Sequence, residues 1–384
     1  WWFGLKLARR FLLKDVPLRS TDGRPCMYVT PDPVLSLLQQ RDRGTGGAVL
    51  SLDTGINRSM REEYVIRSLT EEAITSSQLE GAATTREVAK QMLRSGRTPR
   101  DVSEQMILNN YRAMEAIRAR KAETLSPEFI FDLHTILTRD AMDKPDAVGR
   151  LRHGQENVRI ETPYGDVLHR PPAAAELPER LKSMCEFANG KATQGFLHPI
   201  VRAIILHFWL AYDHPFVDGN GRCARALFYW SMLNSGDWLC EFVSISQVVR
   251  KAPIRYGRAF LYTESDDNDL TYFILYHLDV MHRAMDELHA YIQRKTNELK
   301  ETEQLIRLRA DLNHRQLALL GHALRHPDAL YTIREHQNNH HVVYQTARTD
   351  LFAMAEKGYL IESRHGREYF FRPTPGLREF LGKG

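Results

Sequence analysis

The chain has 384 residues, 43% of them hydrophobic and 26% charged, with a formal net charge of +4. Those values are ordinary for a soluble globular protein with room for two or three domains, and the charge excess is too small to demand nucleic acid as a partner of the whole chain. No run approaches the roughly 18 apolar residues that cross a bilayer, so no membrane partner is expected. The four cysteines (Cys26, Cys185, Cys223, Cys240) form no C-x-x-C pair and read as free thiols of a reducing cytoplasm.

In chain order, the apolar opening stretch is interrupted by Lys6, Arg9, Arg10 and Lys14, and no small-residue cleavage site follows closely. It predicts an amphipathic opening element rather than a signal peptide. The chain opens at Trp1 rather than Met, so a native start is expected upstream. Gly- and Pro-rich loops predict joints at Arg43–Gly47 and Ser95–Arg100. Between them the spacing predicts a helix from about Arg61 to Glu80, in which Ser76 and Glu80 are four apart and share a face. Gly81, just beyond, reads on its own as an ordinary glycine ending the helix.

Ser126-Pro127-Glu128 is a helix start, with an N-cap serine, proline in the first turn and an early acid. From Gln155 to Pro172 the helical pattern breaks. Val158 and Ile160 alternate with polar neighbours and Pro163-Tyr164-Gly165-Asp166 is a turn, which predicts a short hairpin. Helical spacing returns from His198 to Tyr212 and again from Cys223 to Leu233.

The link between those two helices is His-Pro-Phe-Val-Asp-Gly-Asn-Gly-Arg-Cys-Ala-Arg, residues 214–225. A helix start of this kind attracts anions, because its first N–H groups lack helical partners and the dipole is positive there. Gly219 and Gly221 let the backbone approach a phosphate without a Cβ in the way. Arg222 and Arg225, three apart, are placed to reach successive phosphates. Asp218 is a hard oxygen ligand suited to Mg²⁺. His214 is the nearby group whose ordinary pKa suits taking a proton near pH 7. Phe216 is expected to point inward and anchor the loop. Together these parts describe nucleotidyl transfer to a hydroxyl.

This segment resembles the signature of Fic-domain proteins, H-x-F-x-(D/E)-G-N-G-R-x-x-R, at every fixed position: His214, Phe216, Asp218, Gly219, Asn220, Gly221, Arg222 and Arg225. The resemblance implies transfer of AMP from ATP to a Ser, Thr or Tyr hydroxyl. His214 would be the base and Asp218 the Mg²⁺ ligand. Gly219, Asn220, Gly221 and Arg222 would hold the α- and β-phosphates, and Arg225 the γ-phosphate. Gly221 speaks against the death-on-curing branch, where Lys stands at that place and the chemistry is phosphorylation. Residues 76–81 are similar to the family's inhibitory motif, (S/T)-x-x-x-E-(G/N). On that basis Ser76, Glu80 and Gly81 form an inhibitory segment whose Glu80 pairs with Arg225. The hairpin would be the flap that registers the target. Tyr256 is either an adenine contact or a core tyrosine.

Beyond the motif, a long helix is expected from about Tyr272 to Asp311. Met281, Met285, Leu288, Ile292 and Leu299 form an apolar stripe broken by Lys295, read either as a coiled-coil seam or as packing on the domain. The end of the chain reads as three helices (Asn313–Arg325, near Ile333–Gln337, Val343–Lys357) and a hairpin about His365-Gly366. That order resembles winged helix-turn-helix domains, with Gln345, Arg348 and Thr349 on the reading helix and Arg364, His365 and Arg367 on the wing facing DNA. The module's acids, Asp350 among them, offset most of its basic residues, so a protein contact surface stays open beside DNA binding. His336, His340 and His341 read as solvated polar surface.

The expected fold is therefore mainly α: a Fic-type helical core with a short β-hairpin flap, plus a C-terminal winged helix. The expected domains are an arm at 1–60, an inhibitory helix region at 61–100, a catalytic core at 101–300 and the winged module at 305–384. Expected partners are ATP, Mg²⁺, a target protein, the chain itself and DNA, with a homodimer allowed. Two alternatives stay open: removal of AMP by the same site, and a nucleotide-sensing DNA-binding regulator.

Overall fold

The computed structural model describes residues 2–55, 58–162, 164–191, 195–307, 312–366 and 368–382, and it is mainly helical, as the periodicity predicts. The chain divides into two compact units, residues 1–288 and 289–384. The division falls earlier than the expected start of the module at 305.

The first unit opens with α1 (Trp2–Arg10), β1 (Lys14–Arg19) and β2 (Pro25–Tyr28), the strands pairing antiparallel with Lys14 opposite Tyr28. Next come α2 (Asp32–Gly55), α3 (Arg58–Leu79), α4 (Arg86–Ser95), α5 (Val102–Ala119) and α6 (Pro127–Thr138). The two-stranded hairpin of β3 (Ile160–Glu161) and β4 (Val167–His169) leads to α7 (Leu177–Ala188), α8 (Pro199–Asp213), α9 (Asn220–Asn234), α10 (Ile245–Lys251) and α11 (Pro253–Ser265). Then α12 (Thr271–Arg307) begins.

α2 runs through Arg43–Gly47, so the expected joint there is helix instead. Each glycine costs a helix about 1 kcal/mol, too little by itself to end one begun by the helix formers Leu37, Leu38, Gln39 and Gln40. The second expected joint is a break: Gly96 closes α4 in a left-handed conformation and α5 starts at Val102 behind the N-cap Asp101. Ser126 caps α6 by accepting the Phe129 N–H, as its sequence predicts.

α8 and α9 form the centre of this unit. Ile200, Val201, Ile204, Ile205, Leu206, Phe208, Trp209 and Leu210 of α8 are buried, as are Ala226, Leu227, Phe228, Tyr229, Trp230 and Met232 of α9. A helix that is apolar on all sides can only be a core helix. The loop joining these two is therefore fixed at both ends by the best-packed part of the unit. Met281, Met285 and Leu288 of α12 are also buried, so this part of the stripe is packing rather than a free seam. The side chains of Lys295 and Leu299 lie outside the described residues.

The second unit contains α13 (His314–Arg325), β5 (Tyr331–Thr332), α14 (Ile333–His340), α15 (Tyr344–Glu356), β6 (Leu360–His365), β7 (Glu368–Pro373) and α16 (Leu377–Gly382). Its sheet has the order β5-β7-β6, with both pairings antiparallel. Leu319, Leu320, Ala347, Leu351, Met354, Leu360 and Phe371 fill the space between helices and sheet. His336 departs from the expected solvated surface. It is buried, with Nε2 3.2 Å from the Asp350 carboxylate, which also accepts from Arg315 Nε at 2.7 Å and Asn313 Nδ2 at 2.8 Å. A buried carboxylate needs such donors, and His336 is one of them.

Candidate active site

α8 ends at His214, whose backbone is left-handed (φ 45°). A non-glycine residue held there stores strain that its surroundings must over-determine. Here Arg152 does so, donating from Nε to the His214 carbonyl at 2.9 Å and from Nη2 to the Pro172 carbonyl. His214 Nδ1 faces the Ala211 carbonyl at 3.1 Å, so Nδ1 carries the proton and Nε2 keeps its lone pair. Burial pushes the imidazole down to about 4, so it is neutral at pH 7 and able to accept a proton.

Phe216 is fully buried, as expected, and stacks on His134 of α6 with centroids 3.8 Å apart. His134 is a residue the sequence reading missed. Its Nδ1 accepts the Gly149 N–H at 2.9 Å, so Nε2 is protonated and donates to the Asp218 carbonyl at 2.9 Å. The loop is thus held from below by one neutral histidine, whose pKa burial lowers to about 4. A polar residue on the buried stripe of Phe129, Ile130, Leu133 and Leu137 was the available signal.

Gly219 precedes α9 with φ 81°, and a Cβ there would come within 2.8 Å of Thr138 Cγ2. The Asn220 side chain braces the loop, accepting the Phe216 N–H at 2.9 Å and donating to the Phe216 carbonyl at 2.8 Å. For an anion, Asn220 can therefore offer its backbone N–H, in company with Gly221 and Arg222 at the start of the helix. Arg222 is buried. Its Nη1 donates to the Leu137 carbonyl at 3.0 Å and its Nη2 to Asp218 Oδ2 at 3.2 Å, so it contributes charge beneath the loop and orients Asp218. The Asp218 side chain is 54% exposed and keeps its other oxygen open. One open carboxylate oxygen fits Mg²⁺, which takes most of its ligands from phosphates and water.

Two residues at the distant end of α3, Ser76 and Glu80, meet Arg225 of α9. Arg225 donates from Nε to Ser76 Oγ at 2.8 Å, and from Nη2 to the Ser76 carbonyl at 2.9 Å and to Glu80 Oε1 at 2.8 Å. Gly81 follows with φ 96°, turning the chain away. A Cβ added to Gly221 would overlap Glu80 Oε1 and come within 2.9 Å of its Cδ. The carboxylate therefore lies directly over the first turn of α9. Burial alone would raise the Glu80 pKa, but Arg225, and behind it Arg222 and His214, hold it below the ordinary value as an anion. α3 itself is pinned by Glu72, which is buried and accepts from the Tyr229 hydroxyl at 2.9 Å, Ser244 Oγ at 2.8 Å and the Ser246 N–H at 3.1 Å.

Tyr256 is half-buried. Its hydroxyl sits 2.9 Å from His207 Nε2 and its ring packs on Phe260, 5.1 Å between centroids. Arg225 also acts on the Tyr256 hydroxyl, so the residue stands beside the anion site as well as packing on Phe260. The hairpin is anchored beside the loop: His169 of β4 bonds Glu264 at 2.7 Å and the Tyr212 carbonyl at 2.7 Å, two residues before His214. Its outer surface leaves Tyr164, Val167 and Leu168 exposed.

Gln345, Arg348 and Thr349 share the exposed face of α15, while Ala347, Asp350 and Leu351 are buried. Arg348 lies over the Phe352 ring (4.9 Å), and Arg364 of β6 over Tyr369 (5.4 Å). Arg367 lies outside the described residues.

The Fic/DOC family matches residues 124–232 of this chain. Protein adenylyltransferase fic-1 of Caenorhabditis briggsae is 28% identical over 193 residues, 49% of this chain and 36% of that protein. Protein adenylyltransferase Fic of Nematostella vectensis is 32% identical over 117 residues, 30% of this chain and 25% of that protein. The chain thus matches between 25% and 36% of the length of these relatives. The crystal structure of a Fic family protein from Desulfovibrio desulfuricans G20 shares the fold, with a TM-score of 0.61 at 19% identity over 89% of this chain and 96% of that one. Residues 124–232 carry a match to the Fic/DOC family, and over that span the chain is similar to Fic-family proteins.

Proposed function

We propose that the chain transfers AMP from ATP to a hydroxyl side chain of a target protein, and that Glu80 holds the site shut. The observation that carries this reading is the Glu80 carboxylate over Gly221, paired with Arg225. A carboxylate there stands in for an anionic ligand at a helix start, next to a neutral histidine.

The Nε2 lone pair of His214 takes the proton of the target hydroxyl. That oxygen bonds to the α-phosphorus of ATP, the bond from the α-phosphorus to its β-bridging oxygen breaks, and pyrophosphate leaves. The N–H groups at the start of α9 stabilise charge on the phosphate oxygens, a term usually worth several kcal/mol in such transfers. Arg225 holds the terminal phosphate once Glu80 yields. Asp218 would hold Mg²⁺, which when bound neutralises phosphate charge. The relatives' names as adenylyltransferases support the same reaction. The hairpin beside His214 offers exposed strands for a target segment to pair with.

The test is label transfer in a lysate from ATP labelled at the α- or the γ-phosphorus. Glu80→Gly should incorporate α-label and no γ-label, and adding His214→Ala should abolish incorporation while ATP still binds. Incorporation of γ-label, or α-labelling that survives loss of His214, would overturn the assignment. Release of AMP from a prelabelled target, with water as the acceptor and no pyrophosphate required, would favour hydrolytic removal of AMP at the same site.

A second activity belongs to the second unit. The exposed row Gln345, Arg348 and Thr349 on α15, with a hairpin following it, supports a winged helix that reads DNA.

A further inference from the structure

Three hydrogen bonds link the Arg225 guanidinium to the end of α3, and one of them ends on the Glu80 carboxylate. The other two end on Ser76, at its hydroxyl and its carbonyl. That carbonyl is available because the last turn of α3 tightens. In a regular α-helix the Glu80 N–H would bond the Ser76 oxygen. Here it bonds the Ser77 carbonyl at 3.1 Å, and the Ala82 N–H closes on the same Ser77 oxygen at 3.0 Å. The Ser76 oxygen is left for the guanidinium, at the end of the helix whose dipole attracts a cation.

The two sets of contacts differ in what could move. Ser76 is fully buried, whereas the Glu80 side chain is 29% exposed and lies past the last residue of α3. Rotating Glu80 outward breaks neither Ser76 bond. The segment around Ser76 is also held independently: Ser77 Oγ donates to the Met106 carbonyl at 3.2 Å, and Thr75 Oγ1 is 3.3 Å from Ser244 Oγ. Glu72, one turn earlier, fastens α3 to the start of α10.

We propose that Ser76 is a positioning residue for ATP: it holds Arg225 aimed at the terminal phosphate after Glu80 has left. The end of α3 is then part of the working site as well as the carrier of the block. Loss of Ser76 does not mimic loss of Glu80, because one contact serves the open state and the other closes it. This rests on the reading of the loop as an ATP site.

The test uses the full chain with Glu80→Gly, alone and combined with Ser76→Ala or Ser76→Thr, and compares affinity for ATP and AMP with KM and kcat for AMP transfer. AMP lacks the phosphate that Arg225 would hold and so serves as the internal control. Ser76→Ala should weaken ATP about tenfold, the effect of one hydrogen bond to a charged group, and leave AMP unchanged. KM for ATP should rise with kcat little altered, and Ser76→Thr should restore it. Unchanged ATP affinity, or equal loss of ATP and AMP with a lowered melting temperature, would show Ser76 to be packing only. A Glu80→Gly chain that binds no ATP at all would overturn the reading of the site itself.

Discussion

Glu80 and Gly221 compete for one space: the carboxylate of the first lies where a Cβ on the second would have to be. An anion reaches the start of α9 only because position 221 has no side chain. Gly221→Ala would therefore displace Glu80 from Arg225 and also fill the place of a phosphate. It should resemble Glu80→Gly in freeing the clamp, yet bind ATP more weakly than Glu80→Gly and incorporate no label. A Gly221→Ala chain as active as Glu80→Gly would show that phosphate does not approach this turn.

The two buried histidines of the site set a pH dependence. Burial holds both His134 and His214 at about 4 in the folded chain, against about 6.5 when unfolded. The unfolded chain then takes up protons first as the pH falls. The stability these groups support is complete above pH ~6.5 and is lost progressively towards pH ~4. Melting temperatures across that window should fall for the wild type and fall less steeply for His134→Gln, which cannot titrate. A slope unaffected by His134→Gln would contradict a neutral, buried His134.

Glu72 is expected to be structural. Its carboxylate is buried among the Tyr229 hydroxyl, Ser244, and the N–H and hydroxyl of Ser246. Glu72→Ala leaves those donors unpaired and should lower the unfolding free energy by about 3 kcal/mol, read from urea titration. A loss under about 1 kcal/mol would mean that water replaces the carboxylate freely.

For the second unit, duplex DNA should bind with an affinity that falls steeply as salt rises, and Arg348→Ala should weaken it. Asp350→Ala should disrupt the unit instead, because Asp350 joins Arg315, Asn313 and His336. No salt-sensitive binding at low ionic strength would leave α15 as a protein contact surface.

Most of the loop's arrangement was legible because its parts are adjacent in sequence: His214, Asp218, Gly219, Gly221 and Arg225 fall within one turn and the helix it opens. Ser76 and Glu80 could be paired with Arg225 only by resemblance, since nothing in their spacing encodes a partner 145 residues away. His134 and Arg152 escaped notice for a related reason. Each acts through the backbone of residues far along the chain, on the Asp218 and His214 carbonyls, and such bonds leave no local pattern. The Arg43–Gly47 joint failed because glycine clusters mark loops only on average. His336 was misjudged because its partner, Asp350, lies one helix away.

The central claim is that the Glu80 carboxylate blocks a competent site. The most direct test is the initial rate of AMP incorporation at saturating ATP for the wild type and Glu80→Gly, purified side by side. The rate should be at least about tenfold higher for Glu80→Gly, the effect of releasing one ion-paired carboxylate from Arg225. Equal rates in two folded, ATP-binding proteins would contradict it.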